Sequence, residues 1–171
     1  MTGGARRVEL IRLDPELDGA LLGDPEYRAA LGEGRWAEAA ARVRAVVGRT
    51  VPASSTVVRE ATWAWYFTGD AETRELVGSC AYKAAPKEGV VEIAYFTYPP
   101  FEGRGYATAM ARRLIELAMR SPEVRRVIAH TLPEASASTR VLGNAGMVWM
   151  GEVTDPDDGP VWRWQINLGE Q

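Results

Sequence analysis

The chain has 171 residues, of which 46% are hydrophobic and 25% charged, with 20 basic against 23 acidic side chains and a formal net charge of −3. That length suits one domain with its own core, and the near balance of charge excludes a disordered chain and a dedicated nucleic-acid binder. A single cysteine, Cys80, excludes an intrachain disulfide, and with the single histidine, His130, it leaves too few soft ligands for a zinc site. No apolar segment approaches the roughly 20 residues of a membrane span, and Met1 to Arg12 carries no signal-peptide core. The expectation is a single-domain cytoplasmic protein, with no metal, no membrane and no nucleic acid among its partners.

In chain order, residues 6–13 (RRVELIRL) read as a short strand in which Val8 and Leu10, with Leu13 as a further candidate, face a core. Asp14-Pro15 starts a helix, because Asp caps free N–H groups and Pro suits the first helical turn. Leu17, Leu21 and Leu22 fit one of its faces. A second helix spans 35–47, with Trp36, Ala40, Val43 and Val47 at helical spacing. Three strands follow at 61–68, 75–83 and 90–97, the last two separated by a Pro86/Gly89 turn. A long helix over 105–120 has an apolar stripe of Ala107, Ala111, Leu114 and Ala118, and Pro122 ends it. A strand at 124–132, a short helix at 136–144 capped by Ser136 or Ser138, and a hairpin of 147–154 with 161–168 complete the chain. The order β-α-α-β-β-β-α-β-α-β-β predicts an α/β (α+β) fold, a mixed sheet with helices packed on it.

The segment richest in chemistry runs from Glu92 to Arg120. Its strand enters a turn, Glu102-Gly103-Arg104-Gly105-Tyr106-Ala107-Thr108, that opens the long helix. Two glycines let the backbone bend tightly and approach a ligand. The unpaired amides of the helix's first turn, together with its dipole, form an anion site suited to phosphate. Thr108 adds a hydroxyl and Arg104 a charge at the rim. No Lys-Ser or Lys-Thr follows the glycines, so this is not a P-loop, and Thr108 stands where a dinucleotide fingerprint has its third glycine. On spacing alone, Gly103 and Gly105 also fit a simple turn into the helix.

This segment resembles motif A of the GNAT superfamily of acyl-CoA-dependent N-acetyltransferases, [Q/R]-x-x-G-x-[G/A]. Gly105 and Ala107 match, and Glu102 departs from the family's Gln or Arg. Residues 90–98 (VVEIAYFTY) are similar to the family's fourth strand. Residues 133–147 are similar to its N-x-x-S-x-R-V-L-x-K-x-G-F segment at Ser138, Arg140, Val141, Leu142 and Gly146, with the usual Asn absent, Asn144 for Lys and Met147 for Phe. The overall likeness is to the branch containing ribosomal-protein N-terminal acetyltransferases.

The resemblance implies a mostly antiparallel central sheet with helices on both faces and splayed fourth and fifth strands, the acceptor side formed by residues 1–55 and the acetyl-CoA-binding core by 56–171. It implies acetyl-CoA as co-substrate, with the pantetheine arm lying in the splay on the backbone of Phe96, Thr97 and Tyr98. The turn Gly103, Arg104, Gly105, Tyr106, Ala107, Thr108 would hold the pyrophosphate, and Ser138 and Ser136 would touch the cofactor, unless they serve only as helix caps. The implied reaction is direct attack of a primary amine, on a small molecule or a protein N-terminus, on the thioester. Its oxyanion would be met by a main-chain N–H, that of Phe96 first. Glu92, in an otherwise apolar run, is the candidate general base, its setting expected to raise the carboxyl pKa. The alternative is a Glu that is merely solvent-facing or paired. His130 reads as a satisfied core or edge histidine, Tyr82, Tyr95 and Tyr98 as minor candidates for the acid, and Cys80 as a buried strand thiol. A catalytically silent acyl-CoA-binding or sensor module is the competing function, and a homodimer through the Trp-rich terminal strand the competing assembly.

Overall fold

The computed structural model describes residues 5–169, so the first four residues of the N-terminal stretch lie outside the described residues. The fold is a mixed α/β one whose strands pair mostly antiparallel. Its residues form two compact units that interleave along the chain. Of the described residues, the first unit holds those through Val58, then Tyr66–Cys80 and Phe96–Tyr106; the second holds Arg59–Trp65, Ala81–Tyr95 and those from Ala107 on.

In the first unit, strand β1 (Val8–Arg12) buries Val8, Leu10 and Ile11. Helix α1 (Pro15–Gly23) begins where expected, with the Asp14 carboxylate accepting from the amides of Glu16 and Leu17 at 3.0 Å each. Only Leu21 of its three leucines is buried, and Leu22 faces outward. A helix not foreseen follows: α2 (Pro25–Gly32), capped by Asp24. The Asp24-Pro25 pair repeats the Asp14-Pro15 start, so the signal was present ten residues further on. Helix α3 (Trp36–Val46) buries Ala40 and Val43 but leaves Trp36 half exposed. Strands β2 (Thr56–Val57), β3 (Trp65–Asp70) and β4 (Leu76–Tyr82) complete the strand order β2-β1-β3-β4. The third strand begins later than the alternation of 61–68 predicts. Trp63 takes φ +51°, a left-handed turn conformation that no extended strand accommodates.

In the second unit, Lys87 and Val90 exchange backbone hydrogen bonds of 3.0 Å around Glu88 and Gly89, both at positive φ. That two-residue turn launches β5 (Val90–Thr97), whose bounds match the expected strand. Helix α4 (Tyr106–Met119) buries Ala111, Leu114, Leu117 and Ala118 and exposes Arg112 and Glu116. Strand β6 (Arg126–Thr131), helix α5 (Ala137–Asn144) and strands β7 (Val148–Asp155) and β8 (Gly159–Asn167) follow, in strand order β5-β6-β8-β7. The terminal strand is therefore no edge. β8 pairs with β6 along Arg126–Thr131 and with β7 on its other side. The outer strand is β7, which exposes Val148, Trp149 and Met150.

Candidate active site

The glycine turn belongs to the first unit. Gly103 and Gly105 sit at φ +71° and +88°, so a side chain there is strained whatever space surrounds it. The Cβ of any residue at 103 would meet nothing within 4 Å, and at 105 only Arg6 Cγ at 3.7 Å. Within this unit the amides of Gly103, Arg104, Gly105 and Tyr106 donate to no carbonyl among the described residues. Glu102, Gly103, Arg104 and Gly105 are exposed. A run of free amides, on exposed residues from Gly103 to Gly105, at a helix start is the physical content of an anion cradle.

The Tyr106 side chain takes no part in that cradle. It turns inward, packs edge-on against Phe101 at 5.9 Å, and donates its hydroxyl to Asp70 Oδ2 at 2.6 Å. Burial, then the Asp70 bond, pushes the Tyr106 phenol up to about 12. Burial is also the largest influence on Asp70 and pushes it up. The bonds from Tyr106 and from the amides of Thr73 and Glu72, with the Arg6 charge, outweigh it and hold the carboxyl below its usual value. Arg6, which sequence reasoning did not single out, lies over this corner. Its guanidinium stands 5.1 Å from the Tyr106 ring centroid and 3.9 Å from Asp70 Oδ2, and its Nε donates to the Arg104 carbonyl at 3.4 Å.

The end of β5 is set by two backbone bonds of matching register. Lys83 N–H donates to the Glu92 carbonyl at 2.9 Å, and Tyr98 N–H donates to Val77 at 2.8 Å. Backbone groups alternate sides along a strand, so even-numbered residues of β5 face that side. Ile93, Tyr95 and Thr97 face the other. Tyr98 is engaged at both backbone groups, since its carbonyl accepts from Phe101 N–H at 2.8 Å. The Thr97 hydroxyl is buried without a partner, as is the Tyr98 phenol.

In the second unit, β5 and β6 run parallel but pair only over Val90↔Arg126, Val91↔Val127 and Glu92↔Ile128. Beyond that the strands part, and the odd-numbered backbone groups of β5 lose their neighbour. Glu92 stands at the last rung. Its Oε1 lies 2.9 Å from His130 Nδ1 and 2.7 Å from Lys83 Nζ. The setting is therefore not apolar: a cation and an imidazole flank the carboxylate. The parallel register explains it, since His130 lies two residues past Ile128 and so on the same face as Glu92. Asp155 belongs to the same neighbourhood. Its carboxyl is held below the usual range by the amides of Asp158 and Asp157, with His130 and Lys83 near enough to act on it.

The other expected groups fall in several places. Ser136 caps α5, its hydroxyl accepting from Thr139 N–H at 3.4 Å; Ser138 is exposed in the helix's first turn. The Tyr95 phenol, pushed up to about 12 by burial, donates to the Ser138 carbonyl at 3.5 Å. Tyr82 spends its hydroxyl on the Leu114 carbonyl. Cys80 is buried, and desolvation raises its thiol to about 12, which leaves no reactive thiolate.

A profile of the Acetyltransferase (GNAT) domain matches residues 7–148. The chain belongs to the GNAT acetyltransferase family. Its fold is that of other members. A GNAT-family acetyltransferase from Bacillus anthracis superposes with TM-score 0.64 at 18% identity, over 97% of this chain and 98% of that one. The spermidine N-acetyltransferase from Vibrio cholerae, solved with CoA and spermine, gives TM-score 0.52 at 16% identity over 61% of this chain and 64% of that one. The microcin C7 self-immunity acetyltransferase MccE, solved with acetyl-CoA and AMP, gives 0.53 at 15% identity over 60% and 59%. This chain thus spans less than two thirds of either of these last two acetyltransferases. No curated protein matches it in sequence. Among the described residues no helix is long and apolar enough to cross a membrane, and no cluster of His, Cys, Asp and Glu could hold a metal ion.

Proposed function

We propose that this GNAT protein is a single-domain, cytoplasmic N-acetyltransferase that moves an acetyl group from acetyl-CoA to a primary amine by direct attack in a ternary complex. The observation that carries the reading is the parting of β5 from β6 immediately after Glu92. It leaves strand backbone groups unpaired, as an extended pantetheine arm requires, beside a carboxylate–imidazole pair able to move a proton. The free amides of Gly103 to Tyr106 would take the pyrophosphate, with Arg104 and Thr108 at the rim and Ala107 allowing close approach. Strand alternation favours Tyr95 and Thr97 over Phe96 and Tyr98 for backbone contact with the arm, and the unpartnered Thr97 hydroxyl suits the same role. Ser138, exposed at α5, would touch the cofactor, and Ser136 would act through its cap.

The chemistry needs three things. The amine must lose a proton, the tetrahedral oxyanion must meet a donor, and the two substrates must be held together. Glu92 and its partners supply the first. A strand amide on the open edge supplies the second, that of Thr97 or Tyr95 by the alternation. Within the family, the overall likeness to the branch containing ribosomal-protein N-terminal acetyltransferases puts peptide N-termini among the acceptors to test. The polyamine enzyme among the structural neighbours makes spermidine and spermine the first small amines to try. A homodimer would pair through β7, whose exposed Val148, Trp149 and Met150 lie on the free edge; sedimentation tests it.

The deciding experiment is thiol release from acetyl-CoA across a panel of polyamines, aminoglycosides and short peptides, with calorimetry of acetyl-CoA in parallel. Binding with turnover of at least one amine is expected. Binding without turnover of any would mark a silent acyl-CoA module, and no binding would remove the reading altogether.

A further inference from the structure

The proton that leaves the acceptor amine needs an atom with a free lone pair. Glu92 Oε1 already receives both the Lys83 ammonium and His130 Nδ1. A carboxylate oxygen only accepts, so the hydrogen of the Glu92–His130 bond sits on Nδ1. In the neutral imidazole that leaves Nε2 as a lone-pair acceptor, and Nε2 has no partner among the described residues. His130 keeps 16% of its side chain exposed, so the ring is packed but reachable.

We propose that His130 Nε2 is the general base of this enzyme, and that Glu92 is a positioning residue that fixes the tautomer and steadies the imidazolium. This rests on the acetyl-transfer reading above. In the step, the amine lone pair forms the N–C bond to the thioester carbonyl carbon, and one N–H proton passes to Nε2. The tetrahedral adduct then breaks its C–S bond. Coenzyme A leaves as thiolate with that electron pair and takes the proton back from Nε2, so the products are the amide and the free thiol. Lys83 shares the Glu92 carboxylate. Asp155, on β7, places negative charge near the ring, and Arg163, the β8 register partner of His130, places positive charge opposite.

The chain has one histidine, which makes the test unusually clean. In untagged protein labelled with 15N-histidine, a single imidazole is observed. The expected spectrum is that of the Nδ1–H tautomer, and Glu92→Gln should disturb it. In kinetics with the best amine of the panel, His130→Gln should lower kcat/KM by about 100- to 10,000-fold with acetyl-CoA affinity unchanged. Glu92→Gln should lower it by about 100-fold. Added imidazole should restore part of the turnover of His130→Gly, and the acid limb of the pH profile should vanish in that variant. An Nε2–H tautomer in the free protein would overturn the assignment. So would wild-type kcat/KM in His130→Gln, or an acid limb that survives there and disappears in Glu92→Gln, since Glu92 would then take the proton itself. A wild type with the expected tautomer that binds acetyl-CoA but acetylates no amine would instead defeat the acetyl-transfer reading and the base with it.

Discussion

The glycine turn and the strand fork solve opposite problems with opposite means. The turn offers main-chain amides, and its side chains are either outward, as Arg104 is, or committed elsewhere, as Tyr106 is to Asp70. The fork adds side chains to open backbone: Glu92 on β5, His130 on β6 and Lys83 just past the end of β4 meet at one oxygen. A backbone cradle depends on conformation, so it is written in local sequence as glycine spacing. A side-chain cluster depends on register between strands, so nothing local writes it.

Separating the two regions by substitution is the most direct way to break this comparison. The largest effect should come from the fork: Glu92→Gln should cut kcat/KM by about 100-fold while leaving calorimetric acetyl-CoA affinity within about twofold. Weaker cofactor binding in that variant would join the two regions into one. Gly105→Val should do the reverse. A valine at φ +88° strains the backbone by about 1–3 kcal/mol and crowds the amides, so acetyl-CoA affinity should drop roughly tenfold or more. At saturating cofactor, kcat should stay within a few-fold of wild type.

The support beneath the turn is tested by Tyr106→Phe. Loss of the hydrogen bond to the buried Asp70 carboxylate should cost about 2 kcal/mol, seen as a Tm lower by several degrees. Asp70 also predicts a pH dependence. Its folded pKa lies below the unfolded one, so its stabilisation is complete above the unfolded value and is lost as pH falls through the folded value. Asp70→Asn should flatten the acid side of the Tm–pH curve. The smallest effect belongs to Lys83→Met at the fork. Lys83 is half exposed, and its ion pair with Glu92 should be worth under about 1 kcal/mol and fade with salt. A large change in activity there would mean that Lys83 orients the carboxylate.

Much of the fold was legible because its cues are local. Asp14-Pro15 capped a helix, Lys87 to Val90 made a two-residue turn, and the apolar stripe of α4 went inside. The misreadings share a cause as well. Residues 61–64 have the alternation of a strand, but Trp63 sits in a left-handed turn, and periodicity carries no information about φ. The Trp-rich terminal strand was expected to offer a dimer edge, whereas it lies between β6 and β7, because composition does not set sheet order. Helix α2 was missed because eight residues with two alanines and a glycine make a weak period, although its cap was in plain view.

Sequence by itself determined that this chain is an α/β protein with a glycine-turned helix start, because those features depend on φ preferences, caps and apolar spacing among neighbours; its acetyltransferase type came from the likeness of its motifs to those of the GNAT family. Tertiary structure alone decided that the lone histidine faces Glu92, that the carboxylate stands among charges rather than in an apolar slot, and that Tyr106 serves Asp70. Each of those pairings joins residues 9 to 38 positions apart, through strand registers and turns that only the folded chain fixes.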